Sequence, residues 1–201
     1  MNRTAVRISA ATFGALMLAG LASTASVAAQ TGQDSDVTVT VEIPQISTPG
    51  VLAMSVAGTS TTLTESGSNN NARVFTGELP TVTVTDTRKA AEIPAGAFWY
   101  VVGSVSDFRS GGNTITADNL GWTPKLVNGG ASGLVAEGDP AAPKLDGGTG
   151  LRDKELLAIA NDSGAVAAEG SWTAKADLTL KTATDAKAGN YSATLTLSLF
   201  E

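Results

Sequence analysis

The sequence predicts an all-β fold, an antiparallel β-sandwich of the Greek-key, immunoglobulin-like type, on three observations. Several short segments alternate apolar and polar side chains, which is typical of strands with one buried and one exposed face. Segments rich in glycine, asparagine and serine separate them and are suited to turns. No stretch shows the periodicity of a helix of ordinary length. Many short strands joined by such turns favour a sandwich or a barrel.

Residues 1–29 are predicted to be a secretory signal peptide. Arg3 and Arg7 form a basic start, an apolar stretch follows, and small residues lead up to Ala29. The alternative, an uncleaved membrane anchor, fits less well because the apolar stretch is short and interrupted. We therefore expect a secreted product whose residues 30–201 form a single domain without a membrane span.

The mature chain is acidic and has neither cysteine nor histidine. The leader holds two of the 13 basic residues and none of the 19 acidic ones, so its removal takes the formal net charge from −6 to −8. Such a charge disfavours nucleic acid and anionic lipid as partners. Without histidine or cysteine, Ser-His-Asp and Cys-His catalysis, His-ligated metal sites and iron–sulfur clusters are excluded. We expect no cofactor and no metal.

The predicted strands follow the alternating segments in order. They are "DVTVTVEIP" (36–44), "TVTVTDT" (81–87), "AFWYVVGSVSDF" (97–108), "LLAIA" (156–160), "SWTAKADLTL" (171–180) and "YSATLTLSLF" (191–200). The main competing helix is "RDKELLAIAN", but strand is favoured for Leu156–Ala160 because "NDSG" after it is a plausible hairpin turn. Chain ends usually fray, so we expect the last strand to be paired in a sheet, with Leu195, Leu197 and Leu199 buried.

The segment 127–150 is the longest weakly patterned stretch. It could be a linker between two modules. We favour a long surface excursion within one domain, because neither half of the chain has enough strands to close a sandwich alone.

Carboxylates are the main candidates for catalysis, and sequence position does not choose among them. Solvated loop acids are the simpler interpretation of all six candidates, which are Asp107, Asp118, Asp139, Asp146, Asp153 and Glu155. Asp34 and Asp36 could offer oxygens to calcium, but they lack the spaced acids of a calcium-binding loop.

Aromatic side chains are sparse, and three of them are adjacent. Core packing is the default interpretation for Trp99, Trp122 and Trp172. Phe98, Trp99 and Tyr100 cannot all point to one face of a strand. At least one exposed ring is therefore expected in that strand.

Two motifs resemble those of the WxL-domain proteins of Gram-positive cell surfaces. In "YSATLTLSL", Tyr191, Leu195, Thr196 and Leu199 match the closing pattern Tyr-x-x-x-Leu-Thr-Trp-x-Leu, and Leu197 stands where the family carries Trp. "AGNY" before it is similar to the usual lead-in.

The first family motif has its counterpart in "DTR" followed by Trp99, Tyr100 and Val101. "SDFRSGGNTITADNLGWTP" is similar to the loop and strand that follow it in the family. The resemblance runs from Val37 to the end, and the Ala-, Gly- and Thr-rich composition suggests a divergent, actinobacterial-like relative. It implies a β-sandwich held non-covalently at the cell wall by binding peptidoglycan.

Export without a sorting motif or lipobox cysteine agrees with such a role. The sequence thus predicts an exported, non-catalytic cell-surface module that binds cell-wall polysaccharide or peptidoglycan. The alternative is a secreted structural or adhesive protein that contacts other surface proteins, and an enzyme working through carboxylates comes last. Rings and loop side chains that suit a carbohydrate define the predicted binding site, which consists of Trp99, Tyr100, Asn113, Asp118, Asn119 and Trp122.

Overall fold

The computed structural model describes residues 48–201, and most of the regular structure in that range is β-strand. The predicted signal peptide and the strand predicted at 36–44 lie outside the described residues. The strands, in chain order, are β1 Leu52–Val56, β2 Thr64–Glu65, β3 Arg73–Glu78, β4 Val82–Asp86, β5 Tyr100–Val105, β6 Phe108–Ser110, β7 Asn113–Ile115, β8 Leu120–Asn128, β9 Val135–Glu137, β10 Glu155–Ala160, β11 Ser171–Thr182 and β12 Leu195–Phe200.

These strands form two main antiparallel sheets and a small hairpin. The six-stranded sheet has the order β1-β4-β11-β3-β2, with β8 on the other side of β11. The four-stranded sheet has the order β12-β5-β10-β9, and β6 pairs with β7. The predicted all-β, sandwich-like fold is confirmed.

Strand β11 is the centre of the six-stranded sheet. Its sequence alternates strictly, and every second side chain from Trp172 to Thr182 is buried. One side of β11 pairs with β4 and then β3, and the other side pairs with β8. The strand predicted at 171–180 is therefore present and extends two residues further.

Three tryptophans fill the core between the sheets. Trp99, Trp122 and Trp172 are all buried, and the rings of Trp99 and Trp172 lie 5.2 Å apart between centroids. Trp122 packs directly over Gly103 of β5, where a Cβ atom would lie 2.6 Å from Cη2 of the indole. The prediction of core packing for the tryptophans is confirmed, and Gly103 is the position that gives Trp122 its space.

Strand β12 lies at the edge of the four-stranded sheet and pairs with β5 alone among the described strands. Leu195, Leu197 and Leu199 pack against the core but are only half-buried. The predicted pairing of this strand is confirmed. The three leucines, which were expected to be buried, are only partly buried, because an edge strand is covered on one side only.

Helical structure in the described residues is limited to short turns, and none of these helices is long and apolar enough to cross a membrane. The strand interpretation of Leu156–Ala160 is confirmed, since these residues lie in β10. "NDSG" is not the expected hairpin turn: Asp162 accepts a hydrogen bond from the Ala165 amide and caps a helix instead. The helical segments are α1 Ser163–Val166 and four 3-10 turns at Ala90–Glu92, Ala117–Asn119, Lys144–Asp146 and Ala167–Glu169.

The segment 127–150 is attached to the six-stranded sheet by side-chain hydrogen bonds. Glu169 accepts hydrogen bonds from the amides of Ala131 (3.0 Å) and Ser132 (2.6 Å) and from Nε1 of Trp172 (2.8 Å). These three bonds fix the start of the segment to a core side chain of β11. The segment also supplies β9 to the four-stranded sheet.

Candidate functional site

The outer face of the four-stranded sheet carries aromatic side chains of β5 and β12. Trp99 and Val101 of the "FWYVV" stretch point into the core, so the alternation of the strand places Tyr100 and Val102 on the opposite, outer face. The register pairs Tyr100 with Phe200 of β12. Phe200 therefore lies beside Tyr100 on that outer face.

Three rings form a stacked series there, which we call the aromatic row: Phe98, Tyr100 and Phe200. The ring centroids of Phe98 and Tyr100 are 5.9 Å apart with an interplanar angle of 25°, and those of Tyr100 and Phe200 are 5.2 Å apart at 19°. Phe98 is 46% exposed and Phe200 is 36% exposed. The predicted exposed ring in this strand is thus present.

The ring faces of the aromatic row are engaged within the row itself. Tyr100 stacks against both of its neighbours, and the ammonium group of Lys154 lies 4.6 Å from the ring centroid of Phe200. The surface offered to a partner therefore consists of ring edges and of the exposed part of Phe98. Rings held by one another lose little conformational freedom when a partner binds, which suits them to be anchors of an interface.

Aliphatic side chains continue this surface across β10. Ile159 is paired with Tyr100, and Leu156 with Val102, so both lie on the same outer face. Each of the two is half-buried. The result is an apolar band that crosses three strands, and contiguous exposed apolar surface is typical of interaction sites.

Two of the predicted site residues do not reach the surface. Trp99 is fully buried and Trp122 is 2% exposed. Their rings fill the space between the sheets, so neither presents a face to an external ligand. The placement of Trp99 and Trp122 in a binding site is wrong, because the core needs both rings.

The predicted polar site residues lie at the other end of β5. Asp118 and Asn119 directly precede Leu120, the first residue of β8. The carbonyl of Leu120 accepts a hydrogen bond from the amide of Leu151, and the carbonyl of Leu151 accepts one from the amide of Val105 at the end of β5. Val105 lies five positions after Tyr100, which is about 17 Å along a strand. The structure therefore does not bring Tyr100 together with Asp118 and Asn119.

Asp118 and Asn119 are also occupied by local contacts. Asp118 accepts a short hydrogen bond from the hydroxyl of Thr116 and forms an ion pair of 3.1 Å with Lys144. The Thr116 hydrogen bond, followed by Lys144, lowers the pKa of Asp118. Asn119 donates to the carbonyl of Thr116. Asn113, in the β6–β7 hairpin, is exposed.

Sequence reasoning missed Phe200 and Lys154. The alternation of the last strand does place Phe200 opposite the leucine face. The pairing of Phe200 with Tyr100 depends on a register between residues 100 positions apart, and the local sequence carries no signal for it.

The candidate catalytic carboxylates are mostly engaged in ion pairs. Asp107 lies 3.6 Å from Arg109, Asp146 lies 2.7 Å from Lys181, and Asp153 lies 3.4 Å from Arg152. A general acid at neutral pH needs a raised pKa, whereas the pKa of Asp118 is lowered.

A cavity of about 780 Å³ opens between the two sheets beside β12. Apolar side chains from both sheets line its interior, among them Phe75, Leu180, Leu195 and Leu197. Polar residues 59–62, together with Lys187, also line it. Its volume is in the range of known ligand pockets.

Comparison with known proteins adds little to this geometry. No protein-family model matches the chain, and no curated protein matches it. A solved family 123 glycoside hydrolase from Clostridium perfringens, described in terms of glycolipid glycan hydrolysis, is similar at a TM-score of 0.29 and 20% identity. The similarity covers 61% of this chain and 18% of that chain. At that TM-score it supports no argument about fold or function.

Proposed function

We propose that this protein is an exported, non-catalytic binding module of the cell surface that contacts other surface proteins through the aromatic row. The observation that carries the proposal is the stack of Phe98, Tyr100 and Phe200 on the outer face of the four-stranded sheet, in which Phe98 and Phe200 are exposed and Tyr100 is half-buried. Aromatic side chains with apolar neighbours are common anchors of protein interfaces. Export rests on the predicted signal peptide.

The stacking geometry favours a protein over a polysaccharide as the partner. A sugar ring packs against the open face of an aromatic ring, and both Tyr100 and Phe200 lie in an offset stack, nearly parallel to a neighbouring ring of the row. Ring edges with flanking aliphatic side chains suit the irregular surface of a folded protein better.

Direct binding to peptidoglycan is the second candidate. Phe98 ends the aromatic row and is 46% exposed, so it is the ring best able to pack against a sugar. The resemblance to WxL-domain proteins favours the same ligand.

Co-sedimentation with cell envelopes tests both candidates. The mature chain is mixed with envelopes that retain their proteins and with peptidoglycan stripped of protein by detergent and protease. The proposal expects the parent to sediment with intact envelopes, and the Tyr100→Ala variant to lose most of this binding. The matched control is Val127→Ala, which shortens an exposed apolar side chain on β8 of the other sheet and should bind like the parent.

Each outcome has a defined consequence. Binding to stripped peptidoglycan that depends on Phe98 would favour the second candidate. Failure to bind either material, or equal binding by the Tyr100→Ala and Val127→Ala variants, would contradict the proposal. Binding should persist at raised salt, because an apolar contact is not screened by ions.

A further inference from the structure

The backbone of β12 has a side that β5 does not use. The amide of Ser106 donates to the carbonyl of Thr194, whereas the amide of Val105 turns away from β12 and donates to the carbonyl of Leu151. Because antiparallel pairs alternate between bonded and non-bonded, Val105 and its partner Leu195 form a non-bonded pair. The backbone groups of Leu195 therefore point away from β5.

The same alternation continues along the strand. Leu197 and Leu199 direct their N–H and C=O groups to the same side as Leu195, and no strand within residues 48–201 pairs with that side. A row of unpaired backbone groups at a sheet edge is a template for one more strand.

The space beside β12 has room for further apolar side chains. The 780 Å³ cavity opens between the two sheets at this edge, and Leu195 and Leu197 of β12 line it together with Phe75 and Leu180 of the other sheet. Protein interiors are close-packed, so a void of that size beside a core strand is unusual. A strand added to β12 with apolar residues at every second position would direct them into this space.

The chain has a segment with this pattern just before the described residues. Every second residue of "DVTVTVEIP" (36–44) is apolar, namely Val37, Val39, Val41 and Ile43. Threonine and glutamate alternate with them, just as Thr196 and Ser198 alternate with the leucines of β12. The segment and β12 therefore match in pattern, each with an apolar and a polar face.

The start of the described chain lies near the end of β12. Gly50 lies against the backbone of Arg88, whose guanidinium binds the carboxylate of Glu201 at 2.5 and 2.7 Å. Residues 45–49 join the segment to Gly50, and an extended connection of this length spans at most about 20 Å. A segment on the β12 edge would therefore end near Phe200 and run parallel to β12.

We infer that residues 37–43 add to the open edge of β12 as a parallel strand whose valine and isoleucine side chains close the cavity. Backbone hydrogen bonds to Leu195, Leu197 and Leu199 hold the segment. The chain thereby covers its own sheet edge, which protects that edge from pairing with other chains. The inference goes beyond the proposed function and is independent of it, because the aromatic row lies on the outer face of the sheet and not at its edge.

The outer edge of β1 is the competing position for the same segment. Among the described strands, β1 pairs with β4 alone. The amide of Ala57 donates to Thr81 on the β4 side, so Met54 and Val56 direct their amides to the open side of β1. The cavity favours β12, because none of the residues that line it belongs to β1.

Amide hydrogen exchange of the monomeric mature chain distinguishes the two edges without any variant. We expect the amides of Leu197 and Leu199 to exchange at least about tenfold more slowly than those of Met54 and Val56. Fast exchange at both edges, or slower exchange at β1, would overturn the inference. Protection of Leu197 and Leu199 that appears only as the protein concentration rises would assign the edge to a second copy, and would also overturn it.

Two neighbouring variants test which face of the segment is buried. Val39→Asp places a charge on the face directed at the cavity, and its matched control Thr40→Asp places the same charge on the opposite face. Val39→Asp should speed exchange of the Leu197 and Leu199 amides at least about tenfold, whereas Thr40→Asp should leave them as in the parent.

The Leu178 amide, in the central strand β11, reports whether the rest of the fold survives each substitution. If it also exchanges faster in Val39→Asp, the comparison of the two edges in the parent decides the inference. Equal effects of Val39→Asp and Thr40→Asp on the β12 amides, with the Leu178 amide unchanged, would overturn the inference.

Discussion

Replacement of Arg88 by methionine is expected to destabilise the chain strongly, because it leaves a buried carboxylate without a cation. Arg88 donates from Nε and Nη2 to Asp86 at 2.9 and 2.7 Å, and its two Nη atoms bind Glu201 at 2.5 and 2.7 Å. The Asp86 side chain is 0% exposed and that of Arg88 is 11% exposed. Removing one partner of such a buried pair costs about 3–5 kcal/mol.

The melting temperature measures this cost. At about 2–4 °C per kcal/mol for a chain of this length, the Arg88→Met variant should melt on the order of 6–20 °C below the parent. The matched control is Arg73→Met, which breaks a bidentate pair with Glu65. The side chains of this pair are 35% and 43% exposed, so the variant should melt much closer to the parent than Arg88→Met does. Adding Asp86→Leu to Arg88→Met should recover much of the loss. Equal melting temperatures for the two single arginine variants would refute the reasoning.

Three further outcomes follow from the same structure. Gly103→Ala should lower the free energy of unfolding by about 1–3 kcal/mol in denaturant, because the added Cβ would meet the Trp122 ring. The control Gly112→Ala should be near neutral, because a Cβ there meets no atom within 4 Å. Equal costs for the two variants would contradict this packing. Leu197→Asp should lower the free energy of unfolding by about 1–3 kcal/mol, because it places a charge at a half-buried position. An unchanged melting curve would place Leu197 outside the core. The hydrogen bond from Arg73, and second the one from Ser68, lower the pKa of Glu65 to about 2. The stabilisation that ionised Glu65 gives the fold is therefore complete above the ordinary pKa of a glutamate, and it is lost as the pH falls toward 2. In the Arg73→Met variant, the midpoint of the Glu65 titration measured by NMR should rise toward the ordinary value for a glutamate. An ordinary midpoint in the parent would contradict the ion pair.

The sequence predicted those features of the fold that depend on local alternation. The strand at 171–180, the Leu195–Phe200 part of the strand predicted at 191–200, and the burial of Trp172 follow from side-chain periodicity, which acts over a few residues. The four residues of "NDSG" suit both a hairpin turn and the capped start of a helix at Asp162, so the local sequence does not distinguish the two.

The proposed contact surface depends on long-range strand pairing, so the sequence predicts only part of it. The need for an exposed ring near Tyr100 follows from three adjacent aromatic residues, and this part was predicted. Phe200 joins Tyr100 only through the register of β12 on β5, which sequence alternation does not specify. Asp118 and Asn119 are near Trp122 in sequence, but the length of β5 separates them from Tyr100.

Hydroxyl-radical footprinting tests most directly whether the aromatic row is the contact surface. The mature chain is oxidised free and bound to protein-bearing envelopes, and modification of each ring is measured by mass spectrometry. Our account predicts that binding protects Phe98, Tyr100 and Phe200, while Val127 on the other sheet keeps its rate and the buried Phe108 stays unreactive in both states. Binding that leaves all three rings as reactive as in the free chain would contradict the account.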